Sequence, residues 1–454
     1  MALKQLTAVA ALNEAAGKVI EASVCEAQGT YLALVETEAG KRLAWAAQGE
    51  SALSKLWKDV EKEADVKDVH VAVMALNANN AALVRRLVKW AAPTACGTKG
   101  ASVGFSDWLG AADAVVTDLF AKRQLKPVLV DFTPEDSAAI GRNFLEAVDT
   151  ATWGVLEKGY KEGYGANAAG LKSEEEIVKA LLYGYSMIGF DCSDKIDLSI
   201  EKLSDEAVEK RFEQFNETFR AALHASYLNA EFKVGTNKIT FTENQLHRIV
   251  LEYGEAIMHV QFIYNSYLKN TPWDIDFELD LSKPGKVLTP QEHYLIGNEL
   301  QRNGIKLAAI CLDPLKDAEA LQENLQLHCE IADTFGYRLS FANADIAMTD
   351  TAAAMKYLKG KVHFKMNNIL WMSAVKLVQA LDADLFGKLC AVCGCEAVDG
   401  AVCGRMENGR ALALGYRKAL DVKVEGNVAE AMKAFLAAHH DEYAAEVLKN
   451  VGAH

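Results

Sequence analysis

The stretch FELDLSKPGKVLTPQEHYLIGNELQRNGIKLAAICL, residues 277–312, decides the fold of this 454-residue chain. It begins with an apolar run typical of a strand over 277–281, continues with an amphipathic helical pattern over 290–303, and ends with a second apolar run over 307–312. Thr289 is a favourable N-cap and Pro290 suits a first helical turn, so the start of the helix is well marked. This order predicts two parallel strands joined by a helix.

The same alternation recurs along most of the chain. Further strands are predicted at 127–132, 187–190, 338–341 and 362–365, and further helices at 244–267 and 319–335. Repeated strand–helix units predict an α/β fold with a parallel sheet, and their number favours a (β/α)8 TIM-like barrel over an open sheet. The pattern alone does not show whether the sheet closes.

The chain divides into three predicted parts. Residues 1–95 form a small N-terminal α/β unit with a hairpin at 31–45, a helix at 51–64 and a strand at 69–76. Pro93, Gly97 and Gly100 mark its end. Residues 96–404 form the barrel, and residues 405–454 form a helical segment that packs on it.

Composition argues against several functional classes. The formal net charge is −14, so a nucleic-acid-binding surface, which needs clustered Lys and Arg, is not expected. Nine cysteines, an odd number, do not indicate a disulfide framework and favour a reducing, cytoplasmic location. The chain has no run of eighteen apolar residues that would predict a membrane span. The sequence leaves open whether the protein forms a homo-oligomer.

Polar residues inside or just after the predicted strands are the candidate site residues, because barrel active sites are built at the carboxyl ends of the strands. They are Asp107, Asp191, Glu278, Asp280, Asp313, Asn343, Asp345, Lys365 and Asn367. Glu278 stands out because it interrupts an apolar strand, where a carboxylate is costly to bury unless it is paired or used in chemistry.

A cysteine-rich stretch offers a separate hypothesis. Cys390, Cys393, Cys395 and Cys403 lie close together in CAVCGCEAVDGAVC, and a CxxC spacing is common among zinc and iron–sulfur ligands. The alternative is a buried helix of small residues, in which Cys390 and Cys393 merely share a face.

The segment TATWGVLEKGYKEGYG, residues 150–165, resembles the tagaturonate epimerase family. The segments VKALLYGYSMIGFDCSD, YGEAIMHVQFIYN, DIDFELDL and LQLHCEIADTFGYRLS are similar to the same family in the same order, so the resemblance covers about 101–385. It implies a metabolic enzyme that interconverts tagaturonate and fructuronate with a divalent cation, a proton acceptor and a proton donor. The small-molecule partner implied is a sugar acid.

Carried over residue by residue, the resemblance gives a mixed result. It implies that Glu278 is the catalytic proton donor, while the family's proton acceptor falls on Ala169. One metal-binding histidine of the family falls on Gly170 and another on Ala342, and neither residue has a donor atom in its side chain. We therefore predict no metal ligands at these positions and no cofactor.

The predicted site combines the residue pattern with the resemblance. Glu278 is the predicted catalytic residue, and Asp107, Asp191, Asp345 and Lys365 are predicted to bind substrate. Two functions remain open. One is a divergent sugar-acid epimerase or isomerase acting on hexuronates or related keto-acids. The other is a catalytically silent paralogue that binds a sugar acid or a partner protein.

Overall fold

The computed structural model describes residues 3–49, 51–120, 125–282, 286–314, 318–347, 359–394 and 415–453. The N-terminal unit is an antiparallel sheet whose strands run in the order β1, β3, β4, β6, β5, with β2 paired to β3. These strands are β1 (Lys18–Val19), β2 (Cys25–Ala27), β3 (Thr30–Thr37), β4 (Gly40–Gln48), β5 (Val60–Val66) and β6 (Val69–Met74). The predicted hairpin is confirmed, since β3 and β4 pair across residues 38–39.

The helix predicted at 51–64 is wrong. Only Ala52–Lys55 forms a short 3-10 turn, and the rest becomes the edge strand β5, which pairs with β6. The sequence VEKEADV has charged residues on both sides of the strand, and most of them are exposed. Pairing with β6 therefore overrides a local pattern that carries no strong strand signal.

The sheet of the N-terminal unit has two buried faces. Leu32 and Leu34 of β3 pack on Trp153 and Leu156 of a barrel helix, while the alternate residues Ala33 and Val35 pack under the N-terminal helix. This alternation follows from the two-residue period of a strand. The unit is thus held against the barrel by an apolar face.

Eight parallel strands close into a barrel, which confirms the predicted fold class. Its strands are β7 (Ser102–Gly104), β8 (Lys126–Phe132), β9 (Gly165–Leu171), β10 (Met187–Asp191), β13 (Asp276–Asp280), β14 (Ala309–Leu312), β15 (Arg338–Phe341) and β16 (Val362–Lys365). β11 (Phe232–Val234) and β12 (Asn237–Ile239) form a separate hairpin. The sequence pattern missed β7 as a strand in its own right, and it missed β9, whose residues GANAAGL include no β-branched or aromatic side chain.

Helices cover both the N-terminal sheet and the barrel. They are α1 (Gln5–Ala15), α2 (Ala78–Leu87), α3 (Asp113–Phe120), α4 (Pro134–Ile140), α5 (Phe144–Lys158), α6 (Glu174–Leu182), α7 (Asp205–Phe212), α8 (Glu217–Tyr227), α9 (Glu243–Ile263), α10 (Pro290–Arg302), α11 (Ala318–Phe335), α12 (Ala344–Ala347), α13 (Ile369–Leu381), α14 (Ala383–Cys393), α15 (Tyr416–Leu420), α16 (Ala429–Ala438) and α17 (His440–Ala453). Among the described residues, no helix is both long and apolar enough to cross a membrane.

The last helix packs on the barrel, as predicted for the C-terminal segment. Tyr443 donates a hydrogen bond to the carbonyl of Leu370 at 3.2 Å, and Asn450 Nδ2 donates to Ser373 Oγ at 2.8 Å. The domain boundaries near 95 and 404 remain predictions, and residue 404 lies outside the described ranges.

Candidate active site

A cavity of about 360 Å3 opens at the carboxyl ends of the barrel strands. Its lining combines charged, amide and aromatic side chains with two alanines. These residues are Trp108, Thr133, Asp136, Ala169, Asp280, Ser282, Asp313, Ala342, Asn343, Lys365, Asn367, Asn368, Tyr416 and Arg417. We call this space the mouth cavity. It lies where a barrel enzyme carries its active site.

Lys365, the last residue of β16, contributes a charged group to the mouth cavity. Its Nζ donates to Glu278 Oε1 at 2.5 Å, and both side chains are almost wholly buried. Glu278, which interrupts an apolar strand, is therefore buried as one partner of an ion pair. Burial alone lowers the pKa of Lys365, but the surrounding groups, Cys311, Glu278 and Asp131 among them, outweigh it and raise that pKa well above its ordinary value. Lys365 is therefore a fixed positive charge.

Asp131 of β8 lies in the same polar layer inside the barrel. Asn167 Nδ2 donates to Asp131 Oδ1 at 3.0 Å, while Asp131 Oδ2 and Glu278 Oε2 have no hydrogen-bond partner within the described ranges. Burial raises the pKa of Asp131 from 3.8 to about 6; Lys365 opposes this rise and Glu278 adds to it. Asp131 and Glu278 thus lie near one buried cation.

Gly104 makes room for this layer. A Cβ atom at Gly104 would lie 2.7 Å from Asp131 Oδ2 and 3.2 Å from His363 Nε2, closer than a side chain can approach without a shift. Arg338 Nη1 donates to Ser102 Oγ at 2.8 Å, and the same hydroxyl forms a hydrogen bond with His363 Nδ1 at 2.9 Å. Burial and the nearby charges of Arg338 and Lys365 lower the pKa of His363 well below its usual value, which favours the neutral ring.

The C-terminal segment forms one wall of the mouth cavity. The rings of Trp108 and Tyr416 stack with centroids 3.4 Å apart at an interplanar angle of 9°. Tyr416 donates its hydroxyl hydrogen bond to Asp136, and Arg417 Nε donates to the same carboxylate oxygen at 2.7 Å. Arg417 is therefore held at the rim of the cavity with its charge partly exposed.

Asp107 and Asp191, both predicted to bind substrate, lie outside the residues that line the mouth cavity. The Asp107 carboxylate accepts hydrogen bonds from the backbone N–H groups of Gly110, Ala111 and Ala112 at 2.7 to 3.1 Å, so both of its oxygens already position the loop before α3. Asp191 Oδ1 accepts from the Ser193 backbone at 2.8 Å.

Asp345, the third predicted carboxylate, holds the loop after β16. Its Oδ2 accepts from the Asn368 backbone at 2.9 Å, and its Oδ1 has no hydrogen-bond partner within the part of the chain that is described. Burial raises the pKa of Asp345 to about 6. Of the five residues predicted to be catalytic or to bind substrate, Lys365 alone is among the described residues that line the mouth cavity, and Glu278 lies directly beneath it. Four other candidates from the sequence also line it, namely Asp280, Asp313, Asn343 and Asn367. The catalytic role of Glu278 and the substrate-binding roles of the other four remain predictions.

Several cavity residues were missed by sequence reasoning. Thr133 and Asp136 had a usable signal, because they follow the predicted strand 127–132 in a Thr-Pro-x-Asp helix start. Tyr416 and Arg417 had none, because they come from the C-terminal segment and follow no barrel strand.

Comparison with known proteins identifies the family. The family model described as tagaturonate epimerase matches residues 20–401. The chain belongs to the tagaturonate epimerase family. A curated relative, the tagaturonate/fructuronate epimerase of Thermotoga maritima, is 27% identical over 383 residues, which cover 82% of this chain and 78% of that protein.

Solved structures of the same family share the fold. The native crystal structure of the fructuronate-tagaturonate epimerase from Cohnella laeviribosi has a TM-score of 0.85 at 24% identity, with 99% of this chain and 98% of that chain covered. Its complex with two glycerol molecules has a TM-score of 0.86 at the same identity and coverage.

The positions where this member of the tagaturonate epimerase family departs from the family pattern lie at the mouth cavity. Ala169 and Ala342 both line it, and Gly170 follows Ala169 with φ at +65°. No histidine lies among the lining residues. Within the described ranges, no three His, Cys, Asp or Glu side chains at the cavity bring ligand atoms within 4.8 Å of one another. The loss of the divalent cation that the resemblance implies for the family stays a prediction.

The cysteine-rich stretch and a buried histidine pair lie elsewhere. Cys390 and Cys393 are both buried on one face of α14, which agrees with the packing interpretation, while Cys395 and Cys403 lie outside the described residues. His293 and His328 form a buried pair with their Nδ1 atoms 2.9 Å apart, away from the mouth cavity.

Proposed function

We propose that the mouth cavity binds a sugar acid of the hexuronate class, and that the chain is a divergent sugar-acid epimerase whose tagaturonate–fructuronate interconversion is absent or very weak. The relatives are named for acting on tagaturonate and fructuronate. The observation that carries the binding proposal is Lys365, a buried cation that lines the cavity and is held by Glu278.

The rest of the lining is polar and suits a small, polyhydroxylated ligand. A volume of about 360 Å3 falls within the range of ligand pockets, roughly 300–1,000 Å3. Arg417 supplies a second positive charge at the rim, while Asp280, Asn343 and Asn367 offer acceptors and donors for hydroxyl groups. The stacked Trp108 and Tyr416 provide an apolar wall for a sugar face.

The proposed loss of epimerisation follows from what faces the cavity. Inverting a carbon centre needs a base on one face and an acid on the other. Glu278 keeps the family's donor carboxylate, but Ala169 offers no acceptor at the opposing family position. Loss of a general base alone reduces a rate by about 10²–10⁴-fold. A binding protein without turnover is the alternative function, and it shares the same cavity.

The binding half is tested by calorimetry with a panel of hexuronates and hexonates. We expect wild type to bind at least one, and Lys365→Met or Arg417→Gln to weaken that binding by about tenfold or more. Glu278→Gln should alter the binding of the sugar acid, because it removes the carboxylate that pairs with Lys365. Lys195→Gln is the matched control. Lys195 lies away from the cavity and forms an exposed ion pair with Glu255, with Nζ and Oε1 2.8 Å apart. Absence of binding, or equal binding by all variants, would contradict the proposal.

The catalytic half is tested with a coupled assay of tagaturonate–fructuronate interconversion in the presence of manganese, nickel or zinc. We expect no turnover above background. Turnover in the ordinary range of about 1–10³ s⁻¹ would overturn this part of the proposal while leaving sugar-acid binding intact.

We also propose a cytoplasmic location and no nucleic-acid partner. The support is a net charge of −14 and the lack of a disulfide among the described cysteines. A homo-oligomer stays an open expectation that size-exclusion chromatography with light scattering would decide.

A further inference from the structure

Three helices outside the barrel bring two histidines and two carboxylates together. His224 lies on α8, Glu243 and His247 lie on the first turns of α9, and Glu209 lies on α7. Glu243 and His247 are four residues apart, so they project from the same face of α9. Ligand atoms of His224, Glu243 and His247 all lie within 4.8 Å of one another. None of these residues lines the mouth cavity.

The Nε2 atoms of the two imidazole rings face each other. His224 Nε2 and His247 Nε2 are 2.8 Å apart. A tetrahedral zinc-type ion with Zn–N bonds of about 2.0–2.1 Å would separate the two nitrogens by roughly 3.3 Å. Each ring therefore needs to move by only a few tenths of an ångström to admit an ion between them.

His247 already has the second partner that metal-bound histidines use. Its Nδ1 lies 2.8 Å from Glu209 Oε2, so the Nδ1–H group donates to the carboxylate and the Nε2 lone pair faces His224. The Phe212 ring stacks on both imidazoles, with its centroid 3.6 Å from that of His247 and 5.6 Å from that of His224, which fixes both rings.

We propose that His224, His247 and Glu243 bind a divalent transition-metal ion of the zinc type, with Glu209 orienting His247 and a water completing the coordination. Imidazole nitrogen with carboxylate oxygen is a donor set that suits zinc, nickel and cobalt. All three helices belong to the long connection between β10 and β13, so the ion would tie α7 and α8 to α9. The site is structural and independent of the proposed sugar-acid function.

The test is a zinc or cobalt titration of metal-free, full-length protein with competition by a chromogenic chelator. We expect about one equivalent to bind at this site, tetrahedral d–d bands with cobalt, and a higher Tm with metal. His224→Gln or Glu243→Gln should weaken binding by more than about tenfold, and Glu209→Gln by roughly 10–100-fold, the usual effect of losing a histidine's second partner.

His440→Gln is the matched control, because His440 is an exposed histidine beside Asp441 on a different helix. It should bind metal like wild type. Glu243 is exposed, so Glu243→Gln keeps the test informative if a histidine variant fails to fold. No metal uptake, or wild-type affinity in both His224→Gln and Glu243→Gln, would overturn the proposal and leave a histidine–histidine hydrogen bond at this position.

Discussion

Removing Lys365 should destabilise the barrel more than removing the charge of Glu278. The Lys365 and Glu278 side chains are 4% and 0% exposed, and Asp131 is buried in the same layer. Lys365→Met leaves two carboxyl groups inside the barrel without a cation. Breaking a buried ion pair in this way costs about 3–5 kcal/mol of unfolding free energy.

Glu278→Gln should be milder for a reason visible in the structure. Lys365 would still face Asp131 and Asp280, whose negative charges support its protonated form. The variant loses one charge-assisted hydrogen bond, which is worth about 1.5–3 kcal/mol. The double variant should be less destabilised than the sum of the two single variants, because it removes both the cation and one of the carboxylates that depended on it.

Urea unfolding followed by circular dichroism at pH 8 and at pH 5 measures these differences. The Lys365→Met penalty should shrink at pH 5, because Asp131, with a pKa raised by burial to about 6, then carries a proton in the folded state. Lys195→Met, which breaks an exposed pair, should change stability by less than about 0.5 kcal/mol. The reasoning is refuted if Glu278→Gln is as destabilising as Lys365→Met, or if the Lys365→Met penalty does not depend on pH.

Three single positions give further tests. Because burial raises the pKa of Asp131 from 3.8 to about 6, the stability that its protonation contributes is fully present below pH 3.8 and is lost as the pH rises through 6, a change of about 3 kcal/mol. Asp131→Asn should remove most of this dependence of the unfolding free energy on pH, as measured by urea unfolding. A pH dependence equal to that of wild type would contradict this prediction. Gly170 has φ at +65° and room for an added methyl group, whose nearest neighbour would be Thr133 Cγ2 at 3.6 Å. Gly170→Ala should therefore lower the unfolding free energy by about 1 kcal/mol through backbone strain alone. Gly254→Ala in α9 is the control and should be neutral or stabilising. Arg85 of α2 donates to Asp149 at 2.7 Å and to Thr152 at 3.0 Å across the contact between the N-terminal unit and the barrel. Arg85→Met should therefore lower the unfolding free energy by about 1.5–3 kcal/mol and speed hydrogen exchange in the N-terminal sheet. Arg86→Met, at the exposed neighbouring position, should do neither.

The sequence predicted the barrel well where its strands are rich in β-branched and large apolar residues. β15 and β16 were predicted with their observed bounds, because runs such as VHFK end abruptly at turn residues. β9 was missed because GANAAGL owes its strand geometry to the neighbours β8 and β10 rather than to its own propensity. The prediction for the edge strand β5 was wrong for the same reason, since pairing with β6 decides the structure of that segment.

The site residues that lie on strands were easier to predict from the sequence than those that lie elsewhere. Glu278 and Lys365 are found from sequence because a charge inside an apolar strand must be paired, and each is the other's partner. Asp107 follows a strand as the pattern indicated, but its carboxylate accepts hydrogen bonds from three backbone N–H groups, and its substrate-binding role stays a prediction. The wall formed by Tyr416 and Arg417 depends on where the C-terminal segment returns to the barrel, which no local pattern encodes.

The substitutions proposed at the mouth cavity would change which chemistry it favours. In the family, a divalent cation would both attract the substrate carboxylate and polarise an oxygen at the reacting carbon. With alanine at 169 and 342 and glycine at 170, the positive charges left among the described lining residues are Lys365 and Arg417. An ammonium and a guanidinium can still attract and orient a carboxylate, but neither approaches the field of a divalent ion at a developing oxyanion. Binding of a sugar acid should therefore outlast its epimerisation, which is why calorimetry and turnover are expected to give different answers for this chain.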